Sequence, residues 1–220
     1  MIYGIQSMSS DNPEVIELLK VMIILAKTCT EPLSAQAVGN MFYGIQGMSS
    51  EKPEVIELLK VLTKLAKTCT EPLSAQEVGN TIYGLKCLTC SSDVVHSLLI
   101  VLASMVTSCT EPLSPQEVSN ALFGLISLFD ESNTSIMVIF RFLQSHYLRV
   151  ISVTEERLRF DDAQMLTSNV CYFDYFLRKK GVSEQLSREL QDMKIGLECL
   201  ELLGLRDGKA SSKVSPTEQL

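Results

Sequence analysis

The sequence predicts an all-α fold, a right-handed α-solenoid of helix-turn-helix repeats about forty residues long, on three observations. Tyr3-Gly4, Tyr43-Gly44, Tyr83-Gly84 and Phe123-Gly124 stand forty residues apart; residues 1–40 and 41–80 are identical at 32 of 40 positions; and the string Cys-Thr-Glu-Pro-Leu-Ser recurs at Cys29, Cys69 and Cys109. A fixed period of this length marks a chain whose structural unit is the repeat, in which each copy buries its apolar faces against its neighbours.

The first helix of a repeat opens at Leu33-Ser34, where the Ser34 hydroxyl can accept from free backbone donors and Leu33 can staple against Val38. Ser74 and Ser114 are followed three residues on by Glu77 and Glu117, the signature of a capping box, and Pro115 occupies a first helical position. Ala37 denies the earlier copy its box. Val38, Phe42, Ile45 and Met48 then form an apolar stripe, repeated as Val78, Ile82, Leu85, Leu88 and as Val118, Leu122, Leu125, Leu128, which predicts a helix of about four turns.

Pro53 ends that stretch by excluding Lys52 from helical geometry, as Pro13 does for Asn12, and a second helix follows with Glu54 and Glu57 near its positive end. This helix is expected to bury Val55, Leu58, Leu59, Leu62, Leu65, Ala66 and Cys69, with Lys60, Lys64 and Lys67 in solvent. Its third copy, Val94 to Val106, is apolar almost all round and is expected to lie deeper. The fourth drifts, with Ser145, His146 and Arg149 at the positions of Leu65, Ala66 and Cys69.

Residues 1–150 therefore read as helical repeats. The first is truncated at its N-terminus, because Met1 aligns with Met41 inside a first helix, and the chain reads as a fragment or as a gene opened at an internal methionine. Residues 151–205 read as a degenerate repeat or helical cap, with one helix over 162–177, a second over 183–203, and Ser168-Asn169 echoing Ser119-Asn120 off the forty-residue grid. Residues 206–220 lack an apolar period and read as a disordered tail.

A hydrophobic content of 46% supports a continuous core, while no stretch reaches the ~18 uncharged apolar residues of a membrane span. The net charge of -7 divides into 9 basic and 14 acidic residues over 1–150 and 10 and 12 over the rest, so neither part has the cationic excess of a polyanion binder. The seven cysteines follow helix periodicity rather than a disulfide framework, which points to a reducing, intracellular setting.

The candidate ligand contacts repeat with the period. Gln36, Gln76 and Gln116, with Asn40, Asn80 and Asn120, lie four apart on one helix face and form a ladder of amides, able to meet base edges or to bridge to a neighbouring repeat's backbone. Tyr43, Tyr83 and Phe123, with Tyr3, are either stacking platforms for bases or packing between helices, and the glycine after each lets two helices approach closely. Among the positions that differ between copies, Ala37 against Glu77, Met41 against Thr81 and Ala121, and Gln46 against Lys86 and Ile126 are expected to be exposed and to carry function.

Cys87-Leu88-Thr89-Cys90 supplies two sulfur ligands where zinc needs four, and the Cys29, Cys69 and Cys109 ladder is expected to fill core. His96 and His146 have no Ser, Cys or Asp at a catalytic spacing, and no glycine loop cradles a phosphate. Arg178-Lys179-Lys180 reads as a cationic complement to a helix end. No catalytic residue, metal, cofactor, membrane contact or small-molecule substrate is therefore expected.

Leu113-Ser114-Pro115-Gln116-Glu117-Val118-Ser119-Asn120-Ala121-Leu122-Phe123-Gly124-Leu125 resembles the first-helix signature of octotricopeptide repeats and the related FAST-kinase-like repeats, roughly Pro-Gln-x-Leu-x-Asn-x-Leu-Trp-Ala-Leu. The likeness covers residues 1–150 and implies an α-solenoid that binds single-stranded RNA through its first helices, an organellar transcript in a mitochondrion or chloroplast. On that reading Gln36, Asn40, Tyr43, Gln76, Asn80, Tyr83, Lys86, Gln116, Asn120 and Phe123 are the contact candidates. A protein- or peptide-binding scaffold, or the recognition arm of a longer enzyme, is the alternative.

Overall fold

The computed structural model describes residues 2–153 and 160–193, and every regular element in them is helical. A 3-10 turn at Ile2–Ile5 precedes α1 (Pro13–Lys27), α2 (Ala35–Gly44), α3 (Pro53–Ala66), α4 (Ala75–Tyr83), α5 (Asp93–Thr107), α6 (Pro115–Leu125), α7 (Thr134–Val153) and α8 (Phe160–Lys180). Residues 184–193 form a further helical stretch, α9. None of the described helices is long and apolar enough to cross a membrane.

The helices lie in two rows. The 3-10 turn, α2, α4, α6 and α8 pack side by side in one; α1, α3, α5 and α7 pack side by side in the other, and α6 also touches α7. A single apolar cluster draws on both, with Val38, Phe42, Ile45 and Met48 from one row and Leu58, Leu59 and Leu62 from the other fully covered. Each such side chain contributes about 2 kcal/mol through burial.

The helix starts follow the local chemistry. Ser34 Oγ accepts from Ala37 N–H at 3.2 Å, whereas Ser74 and Ser114 take part in complete capping boxes with Glu77 and Glu117. Asn12 Oδ1 accepts from Glu14 N–H at 2.9 Å and Ser92 Oγ from Val94 N–H at 3.2 Å, while Lys52, held extended at ψ 128° by Pro53, makes no side-chain cap. The helices ending before Thr28 and Thr68 close on those hydroxyls, which donate to the Leu25 and Leu65 carbonyls.

Three expectations need correction. The first helix is shorter than four turns: α2 stops at Gly44, and Ile45 and Met48 continue in tight turns with N–H groups on Phe42 and Ile45 carbonyls at 3.1 and 2.9 Å. The tightening seats Gly47 against Met8, whose carbonyl oxygen would lie 2.1 Å from an added Cβ. Secondly, α5 is no deeper than its equivalents, because Ile100, at the position of Lys60, is 64% exposed. That face has lost its charge without gaining cover. Thirdly, the cysteine ladder does not fill core uniformly: Cys29 is exposed, Cys69 half-buried and Cys109 buried. Each thiol donates to the carbonyl two residues on, Glu31, Glu71 or Glu111, and so ties the turn that follows the helix.

Neighbouring repeats are joined at both ends of the α2 row. The Glu71 and Glu111 carboxylates accept from the Ala35 and Ala75 N–H groups at 2.9 Å, each satisfying a helix-start donor of the preceding repeat. Thr68 Oγ1 accepts from Leu33 N–H at 3.0 Å, and His146 Nδ1 takes the same role for Leu113 N–H at 3.3 Å. At the other end Ser49 N–H donates to Ser10 Oγ and Thr89 N–H to Ser50 Oγ, both at 2.9 Å. Lys27 and Lys20 of α1 reach Glu57 and Glu54 of α3 on the outside of the second row.

Past residue 125 the regular pattern changes. α7 has 20 residues against 15 in α5 and crosses position 150, where the repeats were expected to end. Phe129, Phe140 and Phe173 pack edge and face at 5.3 to 5.8 Å, and the buried Tyr147 hydroxyl donates to the Met193 carbonyl, its pKa raised by that burial. α8 ends on the basic run at Gly181, with φ 74°, but Lys180 donates to the Ser127 and Phe129 carbonyls at 3.3 and 2.9 Å and so serves the end of another helix. The expected tail over 206–220, and the part of the last predicted helix beyond 193, lie outside the described residues.

Gly84 has ordinary helical φ of -60°, so its need is for space: an added Cβ would stand 2.0 Å from the Phe42 carbonyl oxygen, while one at Gly4 would meet nothing within 4 Å. Gly84→Ala is expected to lower stability by about 2 kcal/mol in urea denaturation, overpacking outweighing the helix propensity of alanine, while Gly4→Ala leaves it unchanged or slightly higher. At His146, an Nδ1 that accepts requires a neutral ring, and burial followed by the Arg149 charge holds its pKa below the ordinary value. The unfolded chain then binds the proton more readily, so this contribution is complete above about pH 6.5 and is lost as pH falls below it. Urea midpoints are expected to drop between pH 7.5 and 5.5, about the histidine range, and His146→Thr, which restores the residue type found at Thr68, is expected to remove that part of the slope.

Candidate functional site

The glycines that draw the α2 row together also set its aromatic side chains in register. Added Cβ atoms at Gly44, Gly84 and Gly124 would lie 2.2, 2.0 and 2.0 Å from the carbonyl oxygens of Ile2, Phe42 and Ile82 on the preceding helix. The ring before each glycine therefore stacks on the ring before the last. Tyr3 to Tyr43, Tyr43 to Tyr83 and Tyr83 to Phe123 have centroid separations of 5.9, 5.8 and 6.0 Å and interplanar angles of 23, 24 and 29°. The inner faces of these rings are used on one another, which is the packing reading, and Tyr43, Tyr83 and Phe123 keep partly exposed edges.

A fifth ring continues the stack. Tyr172 lies 6.1 Å from Phe123 at 23° and is 49% exposed, close to the 48% of Tyr3 at the opposite end. The sequence carried a signal for it: Ser168-Asn169 and Tyr172 repeat Ser119-Asn120 and Phe123 at a spacing of 49 residues. A search held to the forty-residue period passes over it.

One turn before the rings lie the amides. Gln36, Gln76 and Gln116 are exposed, and Asn40, Asn80 and Asn120 are half-exposed. None of the six side chains has a hydrogen-bond partner among the described residues. The bridging alternative is realised once, at Asn169, whose side chain donates to Ser119 Oγ. Met165 stands at the corresponding glutamine position in α8, so the amide ladder ends at Asn120 while the rings run on.

Electrically the part of this row that carries the amides has few charges. α2, α4 and α6 contain no Lys or Arg, and their only acids, Glu77 and Glu117, are occupied in capping boxes. Lys86, just beyond α4, is the nearby cation; its ammonium sits 4.3 Å over the Tyr83 ring and donates to Gln46 Oε1 at 2.9 Å and the Tyr83 hydroxyl at 3.0 Å. Lysines of the α1 row point outward, with Lys60, Lys64 and Lys67 exposed.

Cys87 and Cys90 do not form a centre. Cys87 is exposed, whereas Cys90 Sγ–H donates to the Leu128 carbonyl at 2.9 Å and burial pushes its pKa up to about 11. It borders a cavity of about 580 Å³ with Asp130 and Lys180, but Asp130 is held low by hydrogen bonds from Ser132 and Lys180 is committed to backbone carbonyls. A protonated thiol is neither nucleophile nor metal ligand. Among the described residues no group of three or more His, Cys, Asp or Glu is placed to hold a metal ion.

The variable positions are not where they were expected. Met41, Thr81 and Ala121 are buried at 6, 0 and 0% exposure, Gln46 and Ile126 are buried as well, and Ala37, Glu77 and Lys86 are half-buried. They vary at packing contacts rather than on an open face. Compared with family models, curated proteins and solved structures, the chain finds no match in any of the three.

Thr81 Oγ1 is the one buried side-chain polar atom without a partner among the described residues. Replacing it by an isosteric methyl removes an unmet desolvation cost, so Thr81→Val is expected to raise the urea unfolding free energy by about 1 kcal/mol.

Proposed function

We propose that this chain is a non-catalytic right-handed α-solenoid of forty-residue helix-turn-helix repeats that binds single-stranded RNA along the α2 row. The observation that carries the reading is the ladder of six amides, exposed or half-exposed and without hydrogen-bond partners among the described residues. An amide presents a donor beside an acceptor, the combination that meets a base edge, and unpaired strands offer those edges freely. Tyr3 and Tyr172, about half exposed, add ring surface on which a base can stack. The octotricopeptide-like signature over α6 supports the same ligand class, with an organellar transcript as its natural form.

A peptide-binding scaffold is the second reading, and the absence of Lys and Arg from α2, α4 and α6 favours it. An extended polypeptide also pairs donors with acceptors along its backbone, and it has no phosphates to neutralise. On the RNA reading, the lack of cations in these helices makes base contacts the main source of affinity, so the salt dependence is weaker than that of a phosphate-driven binder.

Fluorescence anisotropy with a labelled single-stranded RNA decides between them. Binding is expected at about 50 mM salt, with log K against log salt falling at a slope of only about -1, as for one or two phosphate contacts. Gln76→Ala with Asn80→Ala is expected to weaken binding about tenfold without changing the urea midpoint, since these amides make no contact that folding needs. Absence of binding at low salt overturns the RNA reading.

A further inference from the structure

We infer that the ligand of this row is itself periodic: a run of one base. The inference rests on the RNA reading above and names its sequence class. Its first support is chemical. The three candidate subsites are the same pair of residues in the same relation, Gln36 with Asn40, Gln76 with Asn80 and Gln116 with Asn120, each followed three residues on by a stacked ring. Reading different bases in succession takes different side chains at equivalent positions. Here the chain repeats the same ones.

The second support is geometric and independent of residue identity. The step from one helix to the next is nearly constant, as ring separations of 5.8 and 6.0 Å and tilts of 24 and 29° show for α2 to α4 and α4 to α6. The same close approach fixes both steps, Gly84 on the Phe42 carbonyl and Gly124 on the Ile82 carbonyl, each 2.0 Å from an added Cβ. Equal side chains related by equal steps repeat the same amide pair. No partner inside the protein biases one amide differently from the next.

Variation between copies leaves the amide pairs unchanged; it adds one cation beside them, Lys86, 4.3 Å over the Tyr83 ring, where the other copies have Gln46 and Ile126. Met41, Thr81 and Ala121 are buried beneath the row, and the hydroxyl missing from Phe123 is the one change among its rings before α8. Asn169 then ends the series, because its amide is spent on Ser119 and Met165 replaces the glutamine. The described amide ladder therefore offers the same amide pair three times in succession.

A repeated amide pair multiplies a small preference. A bias of about fivefold for one base at each position becomes about a hundredfold over three, taking the positions as additive. The base expected is adenine, the one base with an adjacent donor and acceptor on both its Hoogsteen edge (N6–H and N7) and its Watson–Crick edge (N6–H and N1), so that an amide can take it bidentately from either side.

The test is anisotropy with the full chain and four labelled RNAs of equal length: oligoadenylate, oligocytidylate, oligouridylate and a mixed sequence lacking runs. Oligoadenylate is expected to bind about tenfold or more tighter than the mixed strand, and interrupting its centre with another base is expected to cost about fivefold. Gln76→Ala with Asn80→Ala is expected to erase the penalty of that central interruption while leaving the urea midpoint unchanged. Mixed RNA binding as well as the best homopolymer overturns the inference and leaves the RNA reading intact. Failure of all four to bind, while an extended peptide does, overturns both.

Discussion

Contact between a glycine and a backbone carbonyl two helices back is the constraint on which the α2 row depends. At Gly44, Gly84 and Gly124 there is no room for even a methyl group, so the spacing of successive helices is set by backbone against backbone rather than by side-chain bulk. Backbone is a stiff ruler. Side chains of different size at Met41, Thr81 and Ala121 can then be accommodated below the row without altering the step, and the rings ride above it at intervals that differ by only a few tenths of an ångström.

The α1 row obeys a looser rule. Its faces toward solvent change from charged in α3, with Lys60, Lys64 and Lys67, to uncharged in α5, with Ile100 and Ser104 at equivalent places, while the buried Leu98, Leu99 and Leu102 preserve the apolar stripe. Exposed ion pairs such as Lys27 with Glu57 contribute little to stability and can be exchanged or lost. Constancy is therefore demanded where backbones touch, and relaxed where long side chains meet water.

Most of the fold was legible because its determinants are local. Ser74 with Glu77, Asn12 before Pro13, and the stripes of Val38 and Val55 act within one or two turns, and a single sequence displays them directly. What the local pattern does not encode depends on the other row or on a change of step. Nothing within α5 tells that Ile100 faces water, because the pattern of an all-apolar helix is the same whether one side or two are covered. Variation at Met41 and Thr81 looked like surface freedom, yet it reflects a position where neighbouring side chains tolerate several volumes. Tyr172 was hidden by a spacing of 49 residues, although the Ser-Asn pair before it marked the place. Of the candidate site, the amides and rings could be named in advance; that the rings would stack on each other and the amides would stay unpaired is a matter of inter-helix distance, which residue types alone do not encode.

The bonds that join repeats tie the two ends of a helix to different neighbours. The start of α4 is completed by Glu111 from the repeat that follows, while the turn beyond it hangs by Thr89 on Ser50 from the repeat that precedes. An interior helix therefore has no end that is its own to release. Releasing α4 therefore requires a bond to be broken with the repeat on either side of it, one at each end. The helix that carries Gln76 and Asn80 is thus held by two neighbours at once, and neither can free it alone.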